Sequence, residues 1–62
     1  MIKVGHLVKY ASRLLLVIGF EKNKRSDYYG WARCVEVGTN KERLYHMGQL
    51  AIVMSEKDFY LK

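Results

Sequence analysis

Apolar and polar residues alternate over short stretches of this 62-residue chain, and glycines or charged clusters interrupt the alternation every few residues. That period of two predicts β-strands, and no stretch sustains a helical period. Over residues 2–10, Ile2, Val4, Val8 and Tyr10 fall on one face and Lys3, Gly5, Leu7 and Lys9 on the other. A short connection at Ala11, Ser12 and Arg13 leads into a second strand over residues 14–21. This strand is apolar on both faces, as where two sheet layers meet. Gly19 within it predicts a bend or bulge.

The stretch Lys22-Asn23-Lys24-Arg25-Ser26-Asp27 is the most polar of the chain and predicts its one long loop. A third strand over residues 28–37 follows, with its alternation broken. Trp31, Val35 and Val37 share a face with Arg33, while Ala32 and Cys34 share the other with Glu36, so either a bulge shifts the phase or Arg33 sits at an open rim. Gly38-Thr39-Asn40-Lys41 has the residues of a tight hairpin turn, with Gly and Asn suited to positive φ. A fourth strand over residues 42–47 then pairs antiparallel with the third. Gly48 and Gln49 end it, Leu50 is placed to plug one end of the core from a short helical turn, and residues 51–54 form the last strand. The chain thus divides into an all-β domain over residues 1–54 and a tail over residues 55–62. In the tail, Ser55 and Asp58 match a helix-start pattern, and the consecutive Phe59, Tyr60 and Leu61 either fold back to close one end of the domain or meet a partner.

The run Lys3-Val4-Gly5-His6-Leu7-Val8-Lys9-Tyr10, followed by Leu15-Leu16-Val17-Ile18-Gly19-Phe20, resembles the opening of small SH3-like barrels. These include KOW-type domains of ribosomal proteins and transcription elongation factors, and short barrel proteins encoded by bacteriophages. The resemblance spans residues 2–54. It implies a single five-stranded SH3-like barrel with a short 3₁₀ turn before the fifth strand, acting as a binding module. For the phage proteins it implies a host-cytoplasmic protein that attaches to a host enzyme or takes part in virion assembly. Two positions depart from the pattern. His6 replaces the usual aspartate, a carboxylate that often fixes the adjacent turn, and Leu14-Leu15 replaces the glycine of the nucleic-acid-facing loop in the KOW type. Fold therefore transfers more readily than function.

Length allows one domain, near the lower limit at which a chain without bridges or metals buries enough apolar surface to fold. Half the residues are hydrophobic and none is proline, which fits a compact core. The single cysteine, Cys34, cannot form an internal disulfide, so a reducing, cytoplasmic location is expected. No signal-peptide pattern opens the chain, and the longest apolar run, from Leu14 to Phe20, predicts no membrane span. Eleven Lys and Arg against six Asp and Glu leave a net charge of +5. Residues 55–62 carry two of each sign, so the excess lies in the domain. A basic domain favours acidic partners, nucleic acid foremost and an acidic protein surface next, although small proteins are also basic merely for solubility.

Lys22, Lys24 and Arg25 beside Tyr28, Tyr29 and Trp31 combine cations that neutralise phosphates with rings on which bases stack. Lys41 and Arg43 at the hairpin are expected to belong to the same nucleic-acid site with Lys22, Lys24, Arg25 and Tyr28, and Lys9 and Arg13 at the first connection are candidates to extend it. The plainer alternative places Trp31 and one tyrosine in the core, with the loop lysines solvating a turn; Tyr28 is the aromatic expected to be exposed. A second candidate is an aromatic cage for a peptide or a methylated cation, lined by Tyr10, Phe20, Tyr29, Trp31 and Tyr45, for which an acidic peptide fits best in basic surroundings, with Phe59 and Tyr60 as further partner contacts. Exposed edge strands also suit a homodimer or docking onto a larger assembly. His6, His46 and Cys34 lack the spacing of a metal site, and no cofactor is expected. Ser12, Cys34 and the two histidines stand in no catalytic motif, so a non-enzyme is expected.

Overall fold

The computed structural model describes residues 1–54. Five strands form one antiparallel sheet: β1 (Leu7–Tyr10), β2 (Arg13–Phe20), β3 (Ala32–Glu36), β4 (Glu42–Tyr45) and β5 (Ala51–Met54), with a 3₁₀ turn at Met47–Gln49 before the last. The strand order is β4-β3-β2-β1-β5, so β4 and β5 are edges and hydrogen bonds do not close the sheet. The all-β, five-stranded expectation is met. The expectations for residues 55–62, including those for Phe59 and Tyr60, lie outside the described residues.

Register places the core. The pairs Val8 with Leu15, Val17 with Cys34 and Ala32 with Tyr45 stand opposite one another on one side of the sheet. All six are buried, and Ile2 joins them. Phe20, Met47 and Leu50 pack on the margin of this cluster, which puts Leu50 where its sequence position suggested. Tyr10 of β1 meets Tyr45 of β4 with ring centroids 5.2 Å apart. In a flat sheet those strands would lie about 14 Å apart, at about 4.8 Å per strand spacing. The sheet is therefore rolled about its inner face. A register shift between Val17 and Gly19 leaves Ile18 as an extra residue in β2, the bulge that Gly19 predicted and a natural place for the bend.

Several expected details change. The first strand begins at Leu7 because a turn precedes it: Gly5 has φ 95°, and the His6 amide donates to the Lys3 carbonyl at 3.1 Å. The His6 Nδ1 accepts the Lys3 amide at 3.1 Å, so the imidazole fastens the turn as a carboxylate would. Val4, caught in the turn, is exposed. The second strand is not buried on both sides, since Leu15 and Val17 are covered while Leu14 and Ile18 are about two-fifths exposed. The single rolled sheet has nothing over its outer face among the described residues. Residues 28–31 belong to the preceding loop and not to β3, and β3 itself runs without a bulge, the register shift lying in β2. Ala32 and Cys34 point inward, and Arg33 points outward to Glu21 at 3.4 Å and Glu42 at 3.8 Å. β4 ends at Tyr45, before Met47. The hairpin turn holds as expected, with Gly38 at φ 101° and Asn40 at φ 59°. Burial pushes the Cys34 thiol up to about 11.

Candidate nucleic-acid interface

The loop between β2 and β3, residues 21–31, is held by its own hydrogen bonds. At its base the Glu21 amide donates to the Trp31 carbonyl at 2.9 Å, and the Gly30 amide donates to the Glu21 carbonyl at 3.0 Å. Glu21 also works through its carboxylate: Oε1 accepts the Asn23 amide at 3.1 Å and Oε2 accepts Arg33 Nη2 at 3.4 Å, which ties the loop to β3. Asn23 Oδ1 accepts the Arg25 amide, and Ser26 Oγ accepts the Tyr28 amide, each at 3.0 Å. These are the local side-chain turns for which Asn and Ser are suited. The Ser26 carbonyl takes the Tyr29 amide at 3.2 Å, and the Tyr28 carbonyl takes the Trp31 amide at 2.9 Å. Gly30, at φ 84°, makes the reversal that an L side chain resists. With much of its backbone bonded internally, the loop leaves Lys22, Lys24, Arg25, Tyr28 and Tyr29 to solvent.

Lys22, Lys24 and Arg25 are exposed, and none has a carboxylate within 4.0 Å among the described residues. Asp27 is the acid within the 22–27 run and is also exposed. Tyr28 and Tyr29 are both about half exposed, as expected for Tyr28. The Tyr28 ring meets Trp31 at 4.8 Å and 82°, and Trp31 in turn meets His46 at 5.4 Å and 89°. Such edge-to-face contacts are favourable beyond the area they bury. Trp31 is thus half-buried, neither a core residue nor a free one. His46 is seated by the 3₁₀ turn, its Nδ1 accepting the Gly48 amide at 3.0 Å. Sequence reasoning weighed His46 only as a metal ligand or a catalytic group and assigned it neither role. The hairpin register carries the missing signal: Ala32 opposite Tyr45 puts the next residues outward, Trp31 and His46, side by side.

The remaining cations lie elsewhere. The Lys41 carbonyl accepts the Glu36 amide at 2.8 Å, which puts Lys41 at the far end of β3 from the loop. Four residues separate those ends, about 13 Å of strand. Arg43 stands between, opposite Cys34 on the edge strand, and is exposed. Lys9 stands opposite Leu14, and Arg13 meets Glu36 at 3.8 Å. The basic residues therefore form a loop group and a hairpin group. The aromatics separate similarly: Tyr45, Tyr10 and Phe20 belong to the core or its margin, whereas Tyr29 and Trp31 stand on the loop. Ile52 and Val53 of the β5 edge are about half exposed. Among the described residues, no three His, Cys, Asp or Glu side chains gather as a metal site would require, and no helix is long and apolar enough to cross a membrane.

Compared with known proteins, the chain matches no family model, no curated protein and no solved structure.

Proposed function

We propose that this chain is a non-enzymatic binding module on a small SH3-like barrel, and that it binds nucleic acid through the loop of residues 21–31. The barrel part is supported by the rolled five-stranded sheet, its strand order and the 3₁₀ turn before β5. One observation carries the function: Lys22, Lys24 and Arg25 stand without carboxylate partners among the described residues, beside exposed Tyr28 and Tyr29, on a loop whose backbone is already bonded. Three such cations neutralise phosphates and release counterions, and they read little sequence because phosphates carry none directly. Arg43 is the position from which a longer ligand extends the contact toward Lys41.

A salt series on labelled DNA and RNA tests this. With up to three phosphates neutralised, the logarithm of affinity should fall with that of salt at a slope of about −2 to −3. Lys24→Glu/Arg25→Glu should remove binding at moderate salt, and Lys41→Glu should reduce it far less. Salt-insensitive binding, or binding indifferent to the loop reversal, overturns the proposal.

The protein-partner alternative, an accessory or virion-assembly role, is favoured by a different observation: the half-exposed Ile52 and Val53 on the β5 edge. An edge of that kind pairs readily with another strand. It predicts a partner interaction that survives the loop reversal and is lost on Ile52→Lys/Val53→Lys.

A further inference from the structure

We infer that this loop takes single-stranded nucleic acid, its two tyrosines serving as a stacking platform, an inference that rests on the nucleic-acid reading above. Tyr28 and Tyr29 are adjacent, each about half exposed. The backbone at both is pinned to Ser26, Tyr28 through the hydroxyl at 3.0 Å and Tyr29 through the carbonyl at 3.2 Å. Tyr28 is braced by Trp31 at 4.8 Å, and Trp31 by His46 at 5.4 Å, so that ring is fixed from behind by residues of two separate connections. A ring fixed before binding loses little conformational freedom on binding. Exposed rings beside cations that have no carboxylate partner among the described residues are what a base and its phosphate each require of a single-strand site.

A duplex uses this surface poorly. Its base faces are stacked on one another, and only base edges in the grooves and the backbone are open to a protein. Of the loop's neutral side chains suited to reading edges, Asn23 Oδ1 already holds the Arg25 amide and Ser26 Oγ the Tyr28 amide. Against a duplex the loop offers its three cations, and its tyrosines face no base. Against a single strand the same cations hold phosphates while the tyrosines take bases of any sequence, since every base has a π-face.

The test compares one oligothymidine strand with a duplex of equal length at fixed salt, using anisotropy and the quenching of Trp31, the chain's one tryptophan. The single strand should bind at least about tenfold tighter and quench Trp31. Tyr29→Ala, which leaves the Tyr28–Trp31–His46 row intact, should weaken the single strand by about 5- to 150-fold for a stacked base and leave duplex binding unchanged. Tyr28→Ala should do the same with a loss of the Trp31 response. Lys24→Glu/Arg25→Glu should weaken both ligands. Equal binding of strand and duplex with indifferent tyrosine variants overturns the stacking inference and leaves phosphate binding standing. Failure of both ligands to bind the folded protein overturns the nucleic-acid reading itself.

Discussion

Two connections leave β3, one at each end, and both carry exposed cations with no carboxylate within 4.0 Å among the described residues, yet only one sets them beside exposed aromatic rings. The hairpin turn after β3, residues 37–41, contains no aromatic residue, and its side-chain hydrogen bonds centre on Thr39. Glu36 takes the Thr39 hydroxyl at 2.6 Å and Arg13 at 3.8 Å, and the Lys41 amide meets Thr39 Oγ1 at 3.4 Å. In the loop before β3, Glu21 fastens the backbone and Arg33, while Lys22, Lys24 and Arg25 are left to solvent beside two exposed tyrosines. Counting charges does not separate the two. What separates them is the pair of half-exposed tyrosines that stands beside the loop cations.

Matched glycine substitutions give the largest expected separation. Gly30 (φ 84°) and Gly38 (φ 101°) hold backbone that L residues resist, and a Cβ on either meets nothing within 4 Å, so the penalty is purely conformational. Gly30→Ala and Gly38→Ala should each cost about 1–2 kcal/mol in denaturant unfolding. Only Gly30→Ala should also weaken nucleic-acid binding, by about fivefold or more, because it disturbs the frame that presents Tyr28 and Tyr29. Equal losses of affinity from both would break the comparison.

A pH titration of stability should treat both connections alike. Cys34 lies in the middle of β3, and its thiol is raised from 9.0 to about 11 by burial. The unfolded chain therefore loses this proton first, so stability is fully present below pH 9 and falls as pH rises toward 11. The slope from this thiol approaches about 1.4 kcal/mol per pH unit. Cys34→Ala should flatten that part of the curve at some cost in packing, and an unchanged curve would show that burial does not hold the thiol protonated.

The smallest effect is expected at the hairpin ion pair. Glu36→Gln should cost about 0.5 kcal/mol or less, since Arg13 is half exposed and such pairs contribute little. Nucleic-acid binding should stay the same or rise slightly as Arg13 is released. A large loss of binding would show that the hairpin belongs to the interface after all.

Much of the fold was legible in residue order. Gly38 and Asn40 marked the hairpin because a tight turn needs positive φ at such positions, and Gly19 marked the bulge that the register shift displays. Residues 51–54 read as a strand and are β5. The first strand was read too long because alternation continues through a turn that His6 Nδ1 and Gly5 together create. The third was read too long because aromatic residues 28, 29 and 31 carry strand propensity, while Ser26 and Gly30 commit their backbone to turns. In the candidate site, Lys22, Lys24, Arg25 and Tyr28 could be grouped from sequence because they share one loop. Lys41 and Arg43 were assigned to the same site and His46 was not grouped with Trp31, since their true placement depends on register, which puts Lys41 at the far end of β3 and Trp31 beside His46.

The sequence by itself determined the alternation, the turn positions and the cluster of loop cations, because each depends on residues only a few positions apart. The tertiary structure decided which strand faces are covered, which cations meet an acid and which aromatics touch. Those outcomes follow from pairing between distant segments, which seats His46 against Trp31, and from the roll of the sheet, which brings Tyr10 onto Tyr45 across two intervening strands.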